Sequence, residues 1–72
     1  MDRDIELAHL RKADADIADA RERIAQQARL VARLEEGGHD AAVARSLLDT
    51  MRQTLEAMET NRRIILVSLD AA

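Results

Sequence analysis

The sequence interrupts an otherwise continuous run of helix-forming residues once, close to its midpoint. Both glycines of the 72-residue chain stand side by side, at Gly37 and Gly38, and the chain contains no proline. Because glycine takes a left-handed backbone conformation at little cost, Gly37 is predicted to end a first helix in that conformation, and Gly38 to let the chain reverse. Asp40 is predicted to cap a second helix by accepting hydrogen bonds from the free amides near Ala42 and Val43.

Two helices joined by so short a turn can pack compactly only side by side and in opposite directions. The predicted bounds are about 2–36 for the first helix, with Asp2 as its cap, 37–40 for the turn and about 41–70 for the second helix. The predicted fold is therefore all-α: an antiparallel two-helix hairpin, coiled-coil-like, forming a single domain over residues 1–72.

Apolar residues repeat with coiled-coil spacing in both halves. On the first helix, one set of seam positions recurs every seven residues from Leu10, and a second set follows each of these by three residues. Together they are Leu10, Ala13, Ile17, Ala20, Ile24, Gln27, Val31 and Leu34. On the second helix, alternating steps of four and three give Ala44, Leu48, Met51, Leu55, Met58, Arg62, Ile65 and Leu69. Three residues that flank this second seam are predicted to widen the buried stripe at the turn end: Leu47, Thr54 and Asn61. Small side chains on one helix and large ones on the other should interdigitate.

The charges also favour an antiparallel arrangement. Residues 2–20 carry six acids and three bases, whereas residues 60–72 carry two bases and one acid. Counting outward from the turn pairs residues whose numbers sum to about 78. Arg62, the one charged residue on the second seam, then comes within reach of Asp14 or Asp16, and such a pair would help to fix the register.

A hairpin of this length leaves apolar surface that one neighbouring helix cannot cover. The stretch from Ile64 to Leu69 is apolar on nearly all sides of its helix. A symmetric homodimer forming a four-helix bundle would cover this surface. Leu66 and Val67 lie off the seam and are expected to serve the dimer. The complete predicted interface, for self-association or for another protein, is Leu7, Leu10, Ile64, Leu66, Val67 and Leu69.

Several other function classes are disfavoured by composition and spacing. The chain has no cysteine, and neither His9 nor His39 stands in a metal-ligand spacing, so no metal and no cofactor are expected. No nucleophile, acid–base pair or phosphate-binding loop is evident, so no catalytic residue is predicted and the chain is not expected to be an enzyme. Met51 and Met58, seven residues apart on the seam, are interpreted as packing residues.

Nucleic-acid and membrane partners are disfavoured as well. The arginines between positions 21 and 33 alternate with acids, the net charge is −3, and no aromatic side chain is present to stack on a base. The apolar stretch Ile64–Leu69 is far shorter than the roughly 20 residues of a membrane span. With no leader sequence evident, the chain is expected to be a cytoplasmic protein.

Residues 25–65 resemble a group of known proteins. Their sequence is "AQQARLVARLEEGGHDAAVARSLLDTMRQTLEAMETNRRII". With its Gly38-His39-Asp40 turn and its paired Leu47-Leu48, it resembles short uncharacterised bacterial helical-hairpin proteins. The resemblance implies a helical hairpin and no activity.

Two functions remain open at this point. The first is a structural or protein–protein interaction module, a homodimeric hairpin. The second is a regulatory binding subunit that docks a heterologous helix of a sensor, a transcription factor or a toxin. The mass of the chain in solution would separate them, because only the first requires a dimer.

Overall fold

The computed structural model describes residues 2–71 and contains two helices that pack against each other. The first, α1, spans Arg3–Glu36 and the second, α2, spans Ala42–Ala71. The guanidinium of Arg3 donates to the carbonyl of Leu69 at one end, while Arg45 pairs with Glu35 beside the turn. The predicted all-α hairpin, with its helices antiparallel, is therefore confirmed. It measures 54 × 15 × 13 Å.

Each helix begins beside an aspartate whose carboxylate accepts a free amide. Asp2 Oδ1 accepts from the amide of Asp4 at 2.9 Å, as predicted for the cap of α1. Asp40 Oδ1 accepts from the amide of Ala42 at 2.9 Å. Both bonds satisfy a donor that the helix itself leaves unpaired, and the negative charges suit the positive ends of the helix dipoles.

The turn places the left-handed residue one position later than expected. Gly38 has φ of 72°, whereas Gly37 has φ of −82°, so the prediction of a left-handed Gly37 is wrong. Gly37 keeps a negative φ, and its amide still donates to the carbonyl of Arg33, four residues back, at 3.0 Å. The amides of Gly38 and His39 then close back onto the carbonyls of Glu35 and Leu34, at 3.1 and 2.9 Å. This pair of bonds satisfies two of the last carbonyls of α1, and it requires a left-handed residue at Gly38.

The core is narrow and lies along the predicted seams. No side chain in residues 2–71 is completely enclosed. Five hydrophobic residues are buried: Ile17, Val31, Ala41, Leu48 and Ile65. Next to the turn, Val31, Ala41 and Leu48 form one cluster, against which Leu34 and Ala44 pack. Arg62, in the seam at the other end, is half-buried.

The second buried stripe is narrower than predicted. Leu47, Thr54 and Asn61 are exposed, and half of the Leu47 surface remains accessible. Within one chain, α2 has only α1 as a neighbour, and a single helix covers only the strip of side chains that faces it. The prediction that these three residues widen the stripe is therefore wrong for the isolated hairpin.

We expect Gly38, which has a positive φ, to be the position in the turn where a side chain is least tolerated. Replacing Gly38 by alanine should lower the free energy of unfolding by about 1 kcal/mol, because a Cβ destabilises the left-handed backbone. The measurement is denaturant unfolding followed by circular dichroism at one fixed protein concentration.

Gly37→Ala is the matched control. Its φ is ordinary, although the new Cβ would meet His39 Cδ2 at 2.9 Å, a contact that the exposed His39 ring can relieve by turning. A larger loss in Gly37→Ala than in Gly38→Ala would contradict this account of the turn.

Candidate interaction surface

The two sides of the α1–α2 seam differ in chemistry. One side carries the three ion pairs that cross between the helices in residues 2–71: Asp14–Arg62, Arg21–Glu59 and Glu35–Arg45. We call this side the charged flank. The other side is a shallow groove, and its α2 edge bears no charged residue. This difference makes the groove side the candidate interaction surface.

Arg62 forms the ion pair that the register predicted. Its Nε donates to Asp14 Oδ1 at 2.5 Å, and the two side chains are 39% and 51% exposed. Asp16, the other predicted partner, instead pairs with Lys12 Nζ at 3.2 Å on its own helix. Arg62 borders a depression shared with Asp14 and the buried Ile17, so its aliphatic part lies beside the seam while its guanidinium reaches the edge.

The other two cross-helix pairs were not identified from the sequence. Arg21 and Glu59 meet at 2.9 Å, and Arg45 and Glu35 at 2.5 Å. The signal was available, because residues 14, 21 and 35 differ by multiples of seven and therefore lie along one side of α1. All three pairs are partly exposed, so each contributes little stability, and their main effect is on register and direction.

The groove side is built from small and flexible residues. Ala20, Met51, Thr54 and Met58 line its middle, and Ala57 lines its continuation toward the chain ends. Alanines leave the groove open because they fill little of the space between the helices. The methionines beside them have flexible side chains that adapt to a neighbouring surface.

Charged residues along the α1 edge of the groove are already paired within α1. Lys12 pairs with Asp16 at 3.2 Å and Arg23 with Asp19 at 3.1 Å, each four residues apart. Such pairs neutralise each other locally and leave no net charge on residues 12–23 of this edge.

The α2 edge of the groove is an uninterrupted row of uncharged residues. Alternating steps of four and three connect its members, which we call the uncharged stripe: Val43, Leu47, Thr50, Thr54, Ala57, Asn61, Ile64 and Ser68. Three of them are large and well exposed, with Val43 at 85%, Leu47 at 50% and Ile64 at 62%. An exposed row of this kind along 30 residues of helix is unusual for a solvated face.

The six residues of the predicted interface do not share one surface. Leu7, Leu10, Leu66 and Leu69 are half-buried within the hairpin. Ile64 belongs to the uncharged stripe, and Val67, which is 68% exposed, points away from the seam. Their part in an interface stays a prediction, and the structure leaves mainly Ile64 and Val67 accessible for it.

The two histidines lie at opposite ends of the hairpin. His9 is exposed, with Nδ1 at 3.3 Å from Glu6 Oε1, and His39 lies in the turn. Among residues 2–71, no group of three or more histidine, cysteine or acidic side chains is placed to hold a metal ion. Neither helix, within the same residues, is long and apolar enough to cross a membrane.

Comparison with known proteins found no matching family, no similar curated protein and no similar solved structure.

We expect Arg62 to be coupled to Asp14 and not to Asp16. A double-mutant cycle with Arg62→Gln and Asp14→Asn should give a coupling free energy above zero but below about 1 kcal/mol, because both side chains are partly solvated. The quantity measured is the free energy of unfolding of the four variants at matched concentration.

The same cycle with Asp16→Asn is the control, and it should show no coupling to Arg62. Coupling to Asp16 with none to Asp14 would contradict the pairing described, because it would place the Arg62 guanidinium on the groove side of the seam, where Asp16 lies.

Proposed function

We propose that this chain is a structural protein–protein interaction module that works as a homodimer, with two hairpins forming a four-helix bundle. The proposal assigns it no catalytic step, no cofactor and no nucleic-acid or membrane partner. A cytoplasmic location belongs to the same proposal.

The observation that carries the proposal is the surface left exposed by the single chain. Its accessible area is 5299 Å². A compact monomer of 8.0 kDa would expose only about 4,450 Å². The excess, about 850 Å², is close to the roughly 800 Å² that each partner buries in a standard protein interface.

The shape of the chain explains the excess. Its radius of gyration is 16.5 Å, against about 11 Å for a compact domain of the same length. A single layer of two helices buries side chains from one direction only, whereas stable domains enclose their core between packed layers. Pairing two hairpins supplies the missing layer and thickens the molecule without lengthening it.

The core is correspondingly small for an independent fold. Five buried hydrophobic residues, one of them an alanine, stabilise 64 helical residues in the two helices. Chains of this size without disulfides or metals commonly need association to reach useful stability. Association stabilises the folded state by mass action, so folding and dimer formation should occur together.

A regulatory subunit that docks a foreign helix is the competing function. The same groove would receive such a helix. The two functions differ in what the purified chain does alone, because a docking subunit would remain monomeric until its partner is supplied.

We expect the purified chain to be a dimer of about twice 8.0 kDa at micromolar concentration in sedimentation equilibrium. Its thermal unfolding midpoint should rise with protein concentration, because dissociation accompanies unfolding. Interference optics are suitable for detection, since the chain contains no tryptophan or tyrosine. A fully helical monomer whose midpoint is independent of concentration would overturn the homodimer and favour the docking subunit.

A further inference from the structure

We propose that the uncharged stripe is the dimer interface, and that its occupant is the uncharged stripe of a second copy running in the opposite direction. The two-fold axis passes between Thr54 and Ala57, at the middle of the stripe. This inference rests on the proposed homodimer and adds to it the surface used and the direction of the partner.

The spacing of the stripe is the first support. Its alternating steps of four and three are those of a coiled-coil seam, and they run parallel to the seam that α2 already shares with α1. A helix that packs against one neighbour needs one such row, whereas a helix inside a four-helix bundle contacts two neighbours and needs two. The second row of α2 is fully formed in the sequence and uncovered in the hairpin.

The exposed apolar residues are gathered on this side. Six large hydrophobic residues of the described chain are at least a third exposed, and three of them, Val43, Leu47 and Ile64, belong to the stripe. Leu30 lies seven residues after Arg23, and Ile5 seven residues before Lys12, so both continue the α1 edge of the groove. Only Val67, the sixth, lies elsewhere.

Side-chain sizes along the stripe suit pairing with itself in reverse. With the axis between Thr54 and Ala57, each Leu47 lies opposite an Ile64 of the second copy. Thr54 lies opposite Ala57 at the centre, where small side chains let the two helices approach closely. Large apolar pairs thus lie toward both ends of this close central contact, and between them Thr50 lies opposite Asn61, a pair of uncharged polar side chains.

The distribution of charge selects the antiparallel direction. Residues 21–54, the turn half, carry six bases and five acids, a net charge of +1. Residues 2–20 and 55–71, the terminal half, carry five bases and nine acids, a net charge of −4. An antiparallel pair places each turn half on the other copy's terminal half, and it also opposes the dipoles of the two α2 helices. A parallel pair would place the two acidic halves together.

Single cysteines test both the surface and the direction, because the chain has none of its own. In the antiparallel dimer two copies of residue 54 lie about 10 Å apart, whereas two copies of residue 43 lie about 38 Å apart. A short bismaleimide should therefore cross-link Thr54→Cys and Ala57→Cys to covalent dimers and leave Val43→Cys uncross-linked. Glu56→Cys, on the opposite side of α2, is the control and should also remain uncross-linked. Efficient cross-linking of Val43→Cys would show a parallel pair and overturn the proposed direction.

A charge placed on the stripe tests its contribution to association. Leu47→Glu should weaken the dimer roughly 100- to 1000-fold in sedimentation equilibrium, because two leucines lose their burial at once. Arg52→Gln, which makes the same change of net charge on the opposite side of α2, should leave the dimer unchanged.

The outcomes separate this inference from the proposed function. If the native chain is a monomer, the homodimer itself is wrong. If the native chain is a dimer, but Leu47→Glu leaves it intact and neither Thr54→Cys nor Ala57→Cys cross-links, the homodimer stands and the uncharged stripe is not its interface. Loss of the dimer in Leu47→Glu, with cross-linking limited to residues 54 and 57, supports the inference.

Discussion

Packing of α1 against α2 along one seam, to which α1 contributes small residues such as Ala13 and Ala20, is the contact on which the rest of the hairpin depends. This packing brings side chains at the edges of the seam within reach of each other across the helices. On the charged flank they form ion pairs such as Asp14–Arg62, which hold the register. Small seam residues also bury little apolar area. The contact between α1 and α2 therefore gives the hairpin only a small hydrophobic core.

The two sides of the seam therefore have different physical roles. Ion pairs that cross the helices are partly solvated, tolerate water and are best placed on an outer surface. The groove side has no such pairs in residues 2–71, and its α1 charges are neutralised within their own helix. Covering the groove side would consequently desolvate charged residues of α1 only, because the α2 edge carries none, whereas covering the charged flank would desolvate charged residues of both helices. This difference in desolvation cost is a physical reason for expecting association there and not on the charged flank.

The sequence was sufficient to predict the features governed by local rules. Heptad spacing predicted both seams, and the position of Asp40 predicted its bond to Ala42. The register followed from the short turn, and it brought Arg62 within reach of Asp14 or Asp16, of which Asp14 is the partner in the structure. The left-handed glycine was misplaced by one residue, because helix termination depends on the last amide that donates to the carbonyl four residues back, and Gly37 still does. The width of the buried stripe was overestimated, since the exposure of Leu47 and Asn61 depends on how many neighbours α2 has. That number is a property of the assembly and not of one helix.

Both ends of the described chain lie at the same end of a hairpin 54 Å long, opposite the turn. In an antiparallel pair the two sets of ends therefore point away from each other, separated by approximately the length of the bundle. Anything attached to either copy would be held at a fixed distance from its counterpart by a stiff helical rod. Such an assembly would act as a molecular spacer, setting separation as well as joining two copies.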